Sequence, residues 1–310
     1  MTTLGFDRSL ISSASVEVVG RQRQLELVTA AMAAARHVLL EGPPGTGKST
    51  LLRAIAARAG LDLVFVEGNA ELTPARLAGH FDPARVLTDG YVEDVFVDGP
   101  LVRALRDGGL LYVEEINRVP EETLNLLITV MSEGELTIPR LGRVSAAPGF
   151  RMVAAMNPFD AVGTARISGA VYDRMCRVAM GYQSAEDELA IVDHETRRDE
   201  HVGTDPMFVT RVVDVVRATR GHPDIRIGSS VRGAIDLVLI AQQLAALRDT
   251  DVADDDVAID AARMALSGRI RVHESVPRTP EDIIDELWRA WMPPSADPDS
   301  GDGPGDPGKG

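Results

Sequence analysis

Short apolar runs punctuate the first half of the chain: Val38-Leu39-Leu40, Leu63-Val64-Phe65-Val66, Leu110-Leu111-Tyr112-Val113 and Met152-Val153-Ala154-Ala155-Met156. None alternates apolar with polar, so each predicts a strand covered on both faces, as in a parallel sheet flanked by helices. Leu51 to Ala57 reads as one of those helices. Near residue 184 the period changes. Ser184-Ala185-Glu186-Asp187 has the spacing of a helix-capping box, and Met207 to Arg220, Val231 to Leu247, Asp256 to Leu266 and Pro280 to Trp291 are amphipathic at helical spacing. Thr279 is placed to cap the last helix, with Pro280 in its first turn. The pattern predicts an α/β domain over 1–183, a smaller all-helical domain over 184–292, and a disordered acidic tail over 293–310, where Pro, Gly, Asp and Ser leave nothing to bury.

Composition narrows the function classes. At 310 residues and 45% hydrophobic content the chain can form two moderate cores. A formal net charge of -15, with no lysine-rich or arginine-rich cluster, argues against sequence-independent nucleic-acid binding. One cysteine, Cys176, excludes an internal disulfide and is expected to be a small buried residue. The amino terminus has no basic region followed by an apolar stretch, and nowhere do eighteen apolar residues run together, so no membrane insertion is expected and the reading is cytoplasmic. The six histidines show no metal-ligand spacing and receive no catalytic role, and Trp288 and Trp291, three apart, are expected to pack the last helix onto its domain.

Lysine is almost absent, yet one of the two, Lys48, lies in Gly42-Pro43-Pro44-Gly45-Thr46-Gly47-Lys48-Ser49, which matches the G-x-x-x-x-G-K-[ST] phosphate loop. Glycines at that spacing let backbone N–H groups converge on an anion. Lys48 adds a point charge for the outer phosphates, Ser49 offers a hydroxyl to Mg²⁺, and the helix that follows, through Thr50, presents its positive end. Strand, loop and helix occur in the order this chemistry needs. The expected ligands are therefore ATP and Mg²⁺.

Two further elements belong with the loop. The strand 110–113 ends in Glu114-Glu115, and alternation along a strand can turn one carboxylate to a metal and the other to an attacking water. Asn157 follows the strand 152–156, where its amide could orient that water or simply begin a turn before Pro158.

Together the loop, Leu110 to Glu115 with Ile116-Asn117-Arg118, Met156-Asn157-Pro158 and Asp173-Arg174 resemble the MoxR family of AAA+ ATPases over about residues 16 to 275. The resemblance implies a P-loop AAA+ parallel sheet followed by a helical lid. It also implies ATP-driven, chaperone-like remodelling or maturation of a protein partner, a homo-oligomeric ring, expected as a hexamer, and a partner containing a von Willebrand factor A domain. By the same resemblance Glu115 is the base that polarises water, Asn157 the first sensor of the terminal phosphate, Arg232 the second sensor, and Arg174 the finger that reaches a neighbouring subunit. Val19-Gly20 matches the segment lining the adenine pocket. Arg232 has its own argument: with Ser229 or Ser230 as cap it stands in a first helical turn, where a cation opposes the dipole unless a phosphate is bound, although a surface arginine is the other reading. A local pair with Asp173 is the alternative for Arg174.

Leu72 to Pro100 reads as an insertion between the second and third strands, and Glu135 to Phe150 as a hairpin turning near Gly142. One departure stands out, Glu114 where the family usually has aspartate. The extra methylene moves the metal-facing carboxylate by roughly 1.5 Å, which matters to a cation that demands near-ideal octahedral geometry. The competing readings are a magnesium-chelatase-type motor subunit and a non-hydrolysing ATP-binding switch.

Overall fold

The computed structural model describes residues 6–158, 168–197 and 205–291. The predicted tail, 293–310, lies outside them. The chain divides into two compact units, Met1–Asp187 and Glu188–Gly310.

In the first unit α1 (Arg8–Ala14) and α2 (Gln22–Ala33) lead into β1 (His37–Glu41) and α3 (Lys48–Ala59). After β2 (Leu63–Glu67) the insertion folds as α4 (Pro74–Ala78), β3 (Gly79–Phe81), α5 (Pro83–Asp89) and β4 (Phe96–Asp98). Then follow α6 (Pro100–Asp107), β5 (Leu110–Glu114), α7 (Glu121–Glu133), the hairpin β6 (Glu135–Ile138) and β7 (Gly142–Ser145), β8 (Arg151–Met156), α8 (Gly169–Arg174) and β9 (Met175–Ala179). The hairpin turns at Pro139-Arg140-Leu141, and Gly142 opens its second strand.

Five strands form one parallel sheet in the order β2-β5-β8-β1-β9. Side chains alternate between its faces. Leu39, Leu111, Val113, Met152 and Ala154 enter a core with Leu101, Leu105, Leu124 and Leu127 of α6 and α7. Val38, Leu40, Leu110, Tyr112, Val153 and Ala155 enter a second core with Leu25 and Val28 of α2 and Leu51, Leu52 and Ile55 of α3. Both faces are covered over β1, β5 and β8, which is why those runs carry no alternation; β2 is a sheet edge whose Phe65 is exposed, which corrects the expectation that its run is covered on both faces. Each fully buried aliphatic side chain contributes about 1.5–3 kcal/mol relative to exposure.

The fifth strand, β9, was not anticipated. It is a sheet edge in which Met175 and Val178 are buried and Cys176 and Arg177 face outward. Cys176 is therefore exposed, which corrects the expectation of a buried thiol.

The second unit takes up most of α9 (Ala185–Thr196), then α10 (Pro206–Ala218), β10 (Ile225–Ile227), α11 (Val231–Arg248), α12 (Asp255–Leu266), β11 (Arg271–Val272) and α13 (Pro280–Ala290). At the start of α9, the Asp187 N–H donates to Ser184 Oγ at 3.1 Å. The α13 capping box is complete: Asp282 N–H donates to Thr279 Oγ1 at 3.2 Å and Thr279 N–H to Asp282 Oδ2 at 3.0 Å, with Pro280 at the first position. The unit is helical apart from the short antiparallel pair β10–β11, too short to carry a period of its own. Trp288 is 1% exposed and Trp291 donates to Asp214 Oδ2 of α10 at 3.0 Å, so both tie α13 to α10.

Candidate functional site

The loop Gly42 to Gly47 bridges the end of β1 and the first turn of α3. Gly45 (φ 72°) and Gly47 (φ 79°) occupy the left-handed region, where a side chain is strained. Gly42 is required for a different reason: a Cβ there would lie 1.9 Å from the Met180 carbonyl oxygen. Its N–H donates to Met156 O at 3.1 Å, fastening the loop to β8. Lys48, 8% exposed, donates through Nζ to the carbonyls of Gly42 and Pro43, each at 2.8 Å. Thr46 Oγ1 donates to the same Pro43 oxygen at 3.0 Å, while Pro44 and Thr50 are exposed.

From behind, the loop is held by Arg21. Its guanidinium is buried and donates to Thr46 O at 2.8 Å and Gly181 O at 2.6 Å. Val19 and Gly20 immediately precede it, the first half-buried and the second exposed at φ 68°, beside the Asp187 carboxylate. Sequence reading missed Arg21, since one arginine among many carries no local signal of burial.

Ser49 Oγ donates to Glu114 Oε1 at 3.2 Å and lies 3.1 Å from the Tyr112 hydroxyl. Two oxygen donors of this kind suit a hard cation that completes its shell with phosphate and water. Among the described residues no group of three or more His, Cys, Asp or Glu could hold a metal unaided. Burial pushes the Tyr112 phenol well above its ordinary range, so it stays protonated.

Glu115 is one of four non-glycine residues at positive φ among those described (φ 51°, ψ 44°). Backbone in that region costs on the order of 1 kcal/mol or more and is held by its surroundings. Gly68, just past β2, is part of that support. Its N–H donates to Glu114 O at 2.7 Å, and a Cβ on it would lie 2.4 Å from Glu115 O. The Glu115 carboxylate pairs with Arg118 at 3.2 Å. Asn157 follows Met156 at the end of β8, which lies between β1 and β5. Lys48, Ser49, Glu114, Glu115 and Asn157 thus gather at the carboxyl ends of three adjacent strands, where open α/β sheets bind ligands.

Arg174 stands apart from these residues. It ends α8 at the opposite, amino end of the strands: Met175, next to it, pairs with His37, the first residue of β1, whereas the loop leaves after the last, Glu41. Five residues of strand separate those levels, roughly 17 Å. Its Nε donates to Ser132 Oγ of α7 and one terminal nitrogen to Ala170 O at 2.9 Å, while Asp173 is 4.0 Å away. The local pair with Asp173 is therefore weak. Arg232 belongs to the second unit, exposed in the first turn of α11, and makes no hydrogen bond or ion pair among the described residues. Ser230 is its N-cap by position, yet neither serine caps through its hydroxyl: Ser230 makes no capping bond and Ser229 Oγ donates to Ser230 O at 3.3 Å.

Comparison with known proteins bears on the fold. Residues 37–175 match the AAA domain (dynein-related subfamily) and residues 217–287 the AAA lid domain, together more than half of the chain. The uncharacterized protein YeaC of Bacillus subtilis (strain 168) is 29% identical, over 83% of this chain and 84% of its own. Gas vesicle ATPase GvpN2 of Halobacterium salinarum is 28% identical, over 81% and 73%. Among solved structures, the Thermotoga maritima RuvB Holliday junction branch migration motor superposes with a TM-score of 0.55 at 17% identity, covering 82% of this chain and 72% of that one, a likeness of fold. Among the described residues no helix is long and apolar enough to cross a membrane. With a phosphate loop on a five-stranded parallel sheet, two acids at the carboxyl end of β5 and a matching lid, this chain is an AAA+ ATPase.

Proposed function

We propose that the chain is a MoxR-type motor: a cytoplasmic ring, hexameric by family resemblance, in which Mg²⁺-dependent ATP hydrolysis drives remodelling or maturation of a protein partner containing a von Willebrand factor A domain. The observation that carries the ring is the position of Arg174. Roughly 17 Å of sheet separates it from its own loop, and its guanidinium is aimed by Ser132 and Ala170, so a role on phosphate is a role on a neighbour's phosphate.

In this reading Gly42 to Thr50 cradle the phosphates, with Val19 and Gly20 beside the base, and Lys48 exchanges its two carbonyl partners for phosphate oxygens. Ser49 and Glu114 hold Mg²⁺, whose charge offsets that of the outer phosphates when bound. Glu115 takes a proton from water, Asn157 orients that water, and Arg232 contributes from the lid. The longer Glu114 still accepts from Ser49 Oγ, at 3.2 Å, which supports hydrolysis despite the departure from aspartate.

The test is complementation. Lys48→Ala and Arg174→Ala chains are each expected to be inactive, and mixing them should restore a fraction of turnover, because some interfaces then pair an intact loop with an intact finger. No recovery on mixing, with both variants folded, would overturn the shared site. The identity to GvpN2 favours a second reading in which the client is a gas vesicle protein. Stimulation of turnover by one partner class and not the other separates the two.

A further inference from the structure

We propose that the Tyr112 hydroxyl is a positioning group of the metal site: it fixes the Ser49 hydroxyl and the Glu114 carboxylate in the orientation that receives Mg²⁺. The inference rests on the Mg²⁺ reading above.

Ser49 has one hydroxyl proton, and it is given to Glu114 Oε1 at 3.2 Å. With that proton on Glu114, the 3.1 Å contact between Ser49 Oγ and the Tyr112 hydroxyl takes the tyrosine's proton, and the phenol is also within hydrogen-bonding reach of the Glu114 carboxylate. The result is a directed chain from Tyr112 O–H to Ser49 O–H to carboxylate. A serine oxygen has two lone pairs, and Tyr112 occupies one, which leaves a single one for a cation and fixes where it points. Without the phenol the Ser49 hydroxyl rotor has only the carboxylate to orient it. That carboxylate is itself on a three-torsion side chain, one methylene longer than aspartate, so the anchor and the object anchored would both be loose.

The ring is suited to the task. Tyr112 is 1% exposed on β5, two residues before Glu114, and on the sheet face covered by α3, which carries Ser49. Phe65 of β2 lies against it at 5.6 Å between centroids, so removal of the hydroxyl leaves the ring packed. In an otherwise aliphatic strand of Leu110, Leu111 and Val113, a leucine or phenylalanine would fill that space without bringing a proton to the site.

The measurement is ADP affinity by calorimetry for the full chain, in saturating Mg²⁺ and in EDTA, comparing native protein with Tyr112→Phe. The EDTA affinity should stay within about twofold. The factor by which Mg²⁺ tightens binding should fall about three- to tenfold, the worth of one hydrogen bond. In a Ser49→Ala background Tyr112→Phe should no longer alter that factor. An unchanged factor, an equal loss with and without Mg²⁺, or a further loss in the Ser49→Ala background each overturns the proposal; the second of these means a structural tyrosine. Native protein insensitive to Mg²⁺ would sink the metal reading, and this inference with it. Should Tyr112→Phe not fold, the tyrosine difference spectrum of the native ADP complex on adding Mg²⁺ carries the test, and its absence overturns the proposal.

Discussion

The two ends of the central sheet use polar residues in opposite ways. At the carboxyl ends of β1, β5 and β8, Lys48, Ser49, Glu114 and Glu115 bond to partners that a nucleotide can replace, such as the carbonyls under the Lys48 ammonium. At the amino ends the polar groups are consumed by the fold. His37 Nδ1 accepts the Met152 N–H at 3.0 Å, and Arg151 Nε donates to Met32 O at 3.1 Å. Arg174, half-buried at the end of a short helix, is bonded to Ser132 and Ala170 there as well, and differs only in the role proposed for it on a neighbour. The difference shows that location within the sheet, rather than residue type, separates chemistry from structure.

The sharpest way to break this comparison is Glu115→Gln. If the carboxyl end is a chemical surface, the substitution should lower turnover by about 10²–10⁴-fold, the range for a lost general base, with ADP affinity and melting temperature nearly unchanged. Single-turnover kinetics alongside a thermal melt reads both. A fall in stability of similar rank would mean that Glu115 serves the fold through Arg118 instead.

Gly68→Ala should do less to chemistry and more to structure. The added methyl meets the Glu115 carbonyl at 2.4 Å, so the left-handed turn must shift, at a cost of about 1–3 kcal/mol in stability together with a drop in turnover. A fully active, equally stable variant would show that the conformation of Glu115 is immaterial. Gly60, which unlike Gly68 is at positive φ (65°) and has nothing within 4 Å of a Cβ, is the control, with alanine there costing about 1 kcal/mol and no activity.

The carboxyl end was the legible one. Glycine spacing around Lys48 and acids after a buried strand are local signals, and the three central strands announced themselves because both their faces are covered, while β2 was found as an apolar run although Phe65 on it is exposed. What the sequence hid was whatever depends on distant partners. Strand β9 reads as irregular because Cys176 and Arg177 point outward from an edge, and Arg177 is there to pair with Glu41, 136 positions away, at 2.7 and 2.8 Å. Arg21 and Gly68 support the site through backbone contacts that no spacing rule encodes. Tyr112 passed as one more apolar residue, since its ring belongs to the core and only its oxygen belongs to the site.

The amino end carries a pH effect, which leaves turnover untouched. Burial, with Arg151 and Arg36 nearby, pushes the His37 imidazole down to about 4, against a pull upward from the Met131 carbonyl. Its Nδ1 must stay unprotonated to accept the Met152 N–H. The folded value lies below the unfolded one near 6.5, so the unfolded chain binds more protons between them. His37 therefore contributes its full stability above about pH 6.5, and that contribution falls as pH drops through about 4, by at most about 3 kcal/mol. Carboxylates titrate in the lower part of this window, so the informative quantity is the difference between native protein and His37→Asn in denaturant melts at pH 7.5, 6 and 5. The variant should be the less stable chain at pH 7.5, and the gap should narrow toward pH 5 as the native chain alone loses the histidine contribution. A gap constant with pH would mean that His37 carries no suppressed proton, and that the amino end is as indifferent to protonation as a wholly apolar one.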